Sequence, residues 1–118
     1  RHQQFLAPRF SLVLDILDQR LGDLGIAEWT HGQGGYFISI DLLPGTAKRT
    51  VELAAEVGVQ LTPAGSTWPY GVDPEDRNLR LAPSYPDYDD LRPALEVFCL
   101  AVELAALEKQ ASTNTQEN

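Results

Sequence analysis

Methionine is missing from all 118 residues. A chain without one does not begin at its own start codon, and the opening RHQQF reads like the interior of something longer. The closing KQASTNTQEN is polar and poor in apolar side chains, as a frayed C-terminus would be. We therefore expect a C-terminal piece of a larger protein. Cysteine is nearly absent too. With Cys99 alone no internal disulfide can form, which suits a reducing, cytoplasmic setting. Two histidines, His2 and His31, add no metal-ligand spacing, so no metal is expected. Basic residues number nine against seventeen acids, a net charge of −8. A chain this acidic lacks the clustered basic face that nucleic acid or an anionic membrane surface requires. No apolar run approaches the roughly 20 residues of a membrane span. Neither a GxSxG elbow nor a phosphate-binding P-loop occurs. HGQGGYF is glycine-rich, but it precedes a strand, whereas a dinucleotide fingerprint must follow one and open a helix.

What remains is ordinary globular material, 43% hydrophobic and 22% charged, enough for one domain with its own core. Phe10, Val13, Leu14, Leu17, Leu21 and Leu24 recur at i, i+3, i+4, i+7 and predict a helix over residues 10 to 24, with Gly25 as its stop. GGYFISIDLL, residues 34 to 43, predicts a strand with Tyr36, Ile38 and Ile40 on one face. Thr46 is placed to cap a helix from Ala47 to Val57 that ends at Gly58. VQL at 59 to 61 reads as a short strand. A long Pro- and Gly-punctuated loop over 62 to 77 follows, then a strand around Arg80. A last helix over 88 to 109 carries Leu91, Leu95, Phe98, Cys99, Val102 and Ala106 on one stripe, with Pro93 tolerated only near its first turns. The expected class is α+β in two layers, with three helices on one face of a small mixed or antiparallel sheet. Residues 110 to 118 read as a polar, flexible tail. Strand order is not legible.

Chemistry is sparse. Lys48 sits at a helix start and Lys109 at the edge of the polar tail, and neither is placed to be a desolvated nucleophile. The acid pairs Glu75–Asp76 and Asp89–Asp90 suit caps or solvated faces. Trp68 and Tyr70 stand in a loop long enough to serve a site, or to plug the core beneath it. Arg80 is the sharpest candidate. In NLRLAP it alternates with Leu79 and Leu81, so it shares a face with Asn78 and Ala82 while the leucines share the other. Its planar fork matches a carboxylate with two parallel hydrogen bonds. The competing reading is an edge-strand arginine paired with a nearby acid such as Asp76.

Taken in order, Gly34, Gly35, Tyr36 and Phe37, then Ala54 to Val59, Pro63 and Gly65, Arg80, and the long final helix form a recognisable set. The run from GGYF to APSYP resembles the C-terminal part of a fold-type I aminotransferase, a class dependent on pyridoxal 5′-phosphate. The resemblance covers most of residues 10 to 109, and the PAGSTWPYG and DPED wording is closest to a bacterial subgroup labelled MocR-like that includes aspartate aminotransferases. It implies that residues 1 to 109 form the small domain of such an enzyme, with 1 to 9 the end of an interdomain helix or linker. It implies that Arg80 binds the substrate's α-carboxylate, with Gly35, Trp68 and Tyr70 as further contacts when the site closes. The Schiff-base lysine and the groups that hold the cofactor would belong to a large domain outside this sequence, and the intact enzyme would be a homodimer. The fragment alone would be inactive. A free-standing α+β module sensing an acidic metabolite through Arg80 is the alternative from another class. The amino-acid substrate is not legible, with aspartate suggested by subgroup resemblance only.

Overall fold

A computed structural model of the chain describes residues 2–31, 37–59, 73–81 and 88–117. The elements run α1 (His2–Leu21), β1 (Ala27–His31), β2 (Ile38–Leu42), α2 (Ala47–Glu56), β3 (Asn78–Leu81) and α3 (Tyr88–Glu117). The strands form one sheet in the order β1-β2-β3, antiparallel at both junctions. The expected two-layer α+β class is therefore observed, with the sheet antiparallel rather than mixed.

One face of the sheet is apolar because the strands alternate. Ile38, Ile40 and Leu42 of β2 and Leu79 and Leu81 of β3 are all buried, and Ala27 and Trp29 of β1 pack against them. Phe10, Val13, Ile16, Leu17 and Leu21 of α1 close over this face together with Leu91, Leu95, Phe98, Cys99 and Val102 of α3. α1 and α2 both pack on α3. A one-residue slip of β2 would turn Ile38, Ile40 and Leu42 to the solvent side. At about 1.5–3 kcal/mol for each buried aliphatic side chain, that loss fixes the register. The opposite face carries Glu28, Thr30, Ser39, Asp41, Asn78 and Arg80, all polar; Ser39 and Asn78 are partly buried and the rest exposed.

Several local expectations change. α1 ends at Leu21, where Leu24 N–H turns back to the Leu21 carbonyl at 3.2 Å, so Leu24 is 48% exposed instead of continuing the stripe. β1 was not expected. Its five residues carry a short Ala-Trp-His alternation, too brief to stand out from the glycine-rich sequence around it. Thr46 occupies the N-cap of α2 but makes no side-chain cap bond, because its hydroxyl donates to the Leu43 carbonyl at 2.7 Å. Asp76 does the capping. Its carbonyl accepts from Ala47 N–H and its carboxylate from Lys48 N–H, each at 3.0 Å. Lastly, Val59 is not in a strand. Gly58, at φ +88, donates to Ala55 O and Val59 to Ala54 O, a Schellman cap that ends α2. Gln60 and Leu61 lie outside the described residues. α3 continues past Lys109 through the polar stretch to Glu117, with Pro93 inside it. No helix among the described residues is long and apolar enough to cross a membrane.

Candidate functional site

The site begins with a turn that delivers β3. The Asp73 carboxylate accepts three backbone N–H groups, from Glu75 at 3.2 Å, Arg77 at 2.8 Å and Asn78 at 2.7 Å. Partial burial pushes the Asp73 carboxyl up, but these bonds and the Arg77 charge outweigh it, leaving it below the usual carboxylate range. Arg77 then ties the turn to the sheet, since its carbonyl accepts from Leu42 N–H at 2.7 Å and its Nε donates to Leu42 O at 3.1 Å. The strand that follows is thereby set in register, with Arg80 opposite Ser39 and Asn78 opposite Asp41.

Across the polar face this register makes two rows, Thr30–Ser39–Arg80 and Glu28–Asp41–Asn78. Arg80 thus faces hydroxyl-bearing residues, and the acids stand one row away. Asp41 is held there by Asn78, whose Nδ2 donates to both Asp41 Oδ1 and Ser39 Oγ at 2.9 Å. Asp76, the acid suggested as a partner from sequence, is engaged at the α2 N-terminus instead. Among the described residues no carboxylate pairs with Arg80. Its guanidinium carbon lies 4.0 Å from the ring centroid of Phe37, the residue just before β2. Such a stack contributes about 0.5–1 kcal/mol where exposed. An exposed guanidinium stacked on a ring and, among the described residues, without a carboxylate partner is suited to receive a carboxylate.

Of the residues picked from sequence, Arg80 stands on this face as strand alternation predicted, with Leu79 and Leu81 buried behind it. Gly35, Trp68 and Tyr70 lie outside the described residues, as do Tyr36, Pro63, Gly65 and Ala82. Phe37 belongs to the glycine-aromatic motif, and the sequence assigns it no task of its own. Its parity with Ser39 on a strand was the available signal.

The described residues do not make a pyridoxal phosphate cradle. The two lysines, Lys48 and Lys109, are exposed on helix surfaces. A shallow cleft of ≈ 240 Å³ lies beside the β3 turn, lined by Asp41, Asp73, Pro74, Glu75, Arg77 and Asn78. Three carboxylates against one guanidinium would repel a phosphate. Among the described residues no group of three or more His, Cys, Asp or Glu side chains could hold a metal ion.

A family model described as aspartate amino-transferase matches residues 1–114. An aspartate aminotransferase of Corynebacterium glutamicum is 52% identical over 112 residues, which is 95% of this chain and 26% of that protein. The crystal structure of an aspartate transaminase from the same species superposes with a TM-score of 0.84 at 54% identity, over 88% of this chain and 24% of that one. An α-aminoadipate aminotransferase from Thermus thermophilus, solved with N-(5′-phosphopyridoxyl)-L-leucine, shares the fold at 20% identity and a TM-score of 0.70. The chain spans about a quarter of the length of the relatives it matches. On the family match and these identities together, the chain belongs to the aspartate aminotransferase family.

Proposed function

We propose that this chain is the small, substrate-gripping domain of a pyridoxal phosphate-dependent aminotransferase, and that Arg80 binds the α-carboxylate shared by its amino-acid and 2-oxo-acid substrates. The observation that carries this is the exposed guanidinium of Arg80, stacked on Phe37 and without an acid partner among the described residues. The length ratio to the relatives supports a domain of a longer polypeptide, in which the cofactor is held elsewhere. Leu100, Leu104 and Leu107, spaced i, i+4, i+7 along α3 and 62%, 46% and 61% exposed, support it as well, because an apolar stripe of that kind ordinarily lies against other protein.

Pyridoxal phosphate, when bound, supplies the electron sink for amino-group transfer. The work of this domain is positional. Two parallel hydrogen bonds from one planar fork fix both the place and the rotation of the substrate's carboxylate, and with it the direction of the bonds at Cα. A charged contact carried on a small domain also lets substrate binding draw that domain over the site and exclude water. Gly35, Trp68 and Tyr70 are proposed as contacts in that closed state. Aspartate is the proposed amino donor, supported by the Corynebacterium glutamicum relatives named for it. The MocR-like affinity rests on the wording of the 63–83 segment. A homodimer in the cytoplasm is proposed for the intact enzyme.

Arg80→Ala in the full-length enzyme tests the reading. Cofactor absorbance should be retained while kcat/KM for the amino acid falls about a hundredfold or more, the scale of losing a charge-assisted pair of hydrogen bonds. Wild-type kcat/KM in that variant would remove Arg80 from the site. The isolated 118-residue chain should neither transaminate nor bind aspartate with micromolar affinity by calorimetry. Micromolar binding there would favour a free-standing metabolite sensor.

A further inference from the structure

We infer that Phe37 is a positioning residue for substrate binding, acting through Arg80. The inference rests on Arg80 being the carboxylate anchor and adds a second residue to it. An arginine on an exposed sheet face ordinarily samples many rotamers, and binding a carboxylate then costs the entropy of choosing one. Here the choice is already made. Phe37 immediately precedes the neighbouring strand β2, and its ring lies under the guanidinium carbon of Arg80 at 4.0 Å. Ser39, directly opposite Arg80, accepts from Asn78 Nδ2 at 2.9 Å, and so does Asp41. Asp41, an acid of the adjacent row on the same face, is thus engaged by Asn78. Phe37 supplies the stacking surface and Asn78 restrains the competing carboxylate, so the guanidinium plane is set before substrate arrives. Preorganisation of this kind strengthens binding of any α-carboxylate without touching the reacting atoms.

The effect should therefore appear equally on both substrates of the reaction. In the full-length enzyme, Phe37→Leu keeps apolar bulk but removes the π face. It should raise KM for the amino acid and for the matching 2-oxo acid by a common factor of about 3- to 30-fold, with kcat changed less than KM. Phe37→Tyr keeps the ring and should restore both values to within about twofold of wild type. Thermal midpoint and cofactor absorbance should stay unchanged in both variants. The inference is overturned if Phe37→Leu leaves both KM values within twofold, if the two substrates shift unequally, if Tyr fails to rescue, or if only kcat and thermal stability fall. Arg80→Ala, run alongside, separates the two layers. A large loss there with a silent Phe37→Leu sinks only the role of Phe37, whereas a silent Arg80→Ala sinks the anchor and this inference together.

Discussion

Asp76 accepts the backbone N–H of Lys48 at 3.0 Å through its carboxylate, across 28 residues of sequence. The same residue accepts from Ala47 and Gly45 through its carbonyl, and it holds a left-handed backbone, φ +49, to do both. One side chain thereby caps α2 and anchors the turn that leads into β3 and Arg80. Asp76→Ala loses the acceptor and keeps the unfavourable φ, so it should cost about 0.5–2 kcal/mol by urea denaturation. Asp76→Asn retains an acceptor and tolerates that backbone region, and should stay within about 0.5 kcal/mol of wild type. Equal losses in the two would show that the cap contributes nothing.

Acid should loosen the β3 turn first. Asp73 and Glu108 both have their carboxyls held below the usual range in the folded state, Asp73 by backbone N–H groups against the opposing effect of burial, Glu108 by hydrogen bonds from Arg49. A carboxyl depressed on folding contributes stability that is fully present above its unfolded value, near 3.9 for Asp and 4.3 for Glu, and is lost as pH falls through the folded value. Urea midpoints should thus be level from pH 7 to about 5 and decline below about pH 4. Asp73→Asn should start lower at pH 7 and decline less steeply. A wild-type midpoint flat down to pH 3 would contradict the assignment.

Arg49 bridges α2 and α3 with two bonds to Glu108, Nε to Oε1 at 2.8 Å and Nη2 to Oε2 at 3.2 Å, while Nη1 meets Glu52 at 3.2 Å. The pair is half-exposed, so its contribution depends on screening. Glu108→Gln should lower the thermal midpoint at low salt, and the gap to wild type should close by about 1 M NaCl, where the Debye length is about 3 Å. A gap that survives high salt would point to packing instead of charge.

Cys99 of α3 is fully buried in the apolar core. Burial pushes its thiol up to about 12, Glu103 adds to the rise, Arg20 opposes it and Glu96 adds again. The nucleophilic thiolate is therefore scarce as well as covered. At pH 8 a disulfide reagent should leave the native chain unmodified over many minutes and label one equivalent once urea unfolds it. Cys99→Ser, which buries a hydroxyl among apolar groups, should cost about 1–3 kcal/mol. Prompt labelling of the native chain would show that this part of the core opens readily.

The long periodic segments were readable in advance. The stripe Leu91, Leu95, Phe98, Cys99, Val102 and Ala106 is buried throughout, and Ile38 and Ile40 share the buried face as their alternation required. The misreadings fall at element ends. Leu24, Thr46 and Val59 each carry side chains that fit one local role, but their N–H groups turn back to the carbonyls of Leu21, Leu43 and Ala54. β1 escaped because five residues with one tryptophan give too little periodicity. The role of Asp76 in capping α2 could not be read locally, since donor and acceptor are 28 residues apart.

Arg80 shows the same division. Alternation alone determined that it turns away from Leu79 and Leu81, because side chains on a strand must alternate and the leucines must be buried. Whether that arginine would find an acid was undecided, for the chain has acids on every side of it. Only the pairing of β2 with β3 settled it among the described residues, setting Ser39 opposite, Phe37 beneath and Asp41 against Asn78. Periodicity is a property of neighbouring residues and is visible in sequence, whereas register is a contact between distant strands and exists only once the sheet has formed.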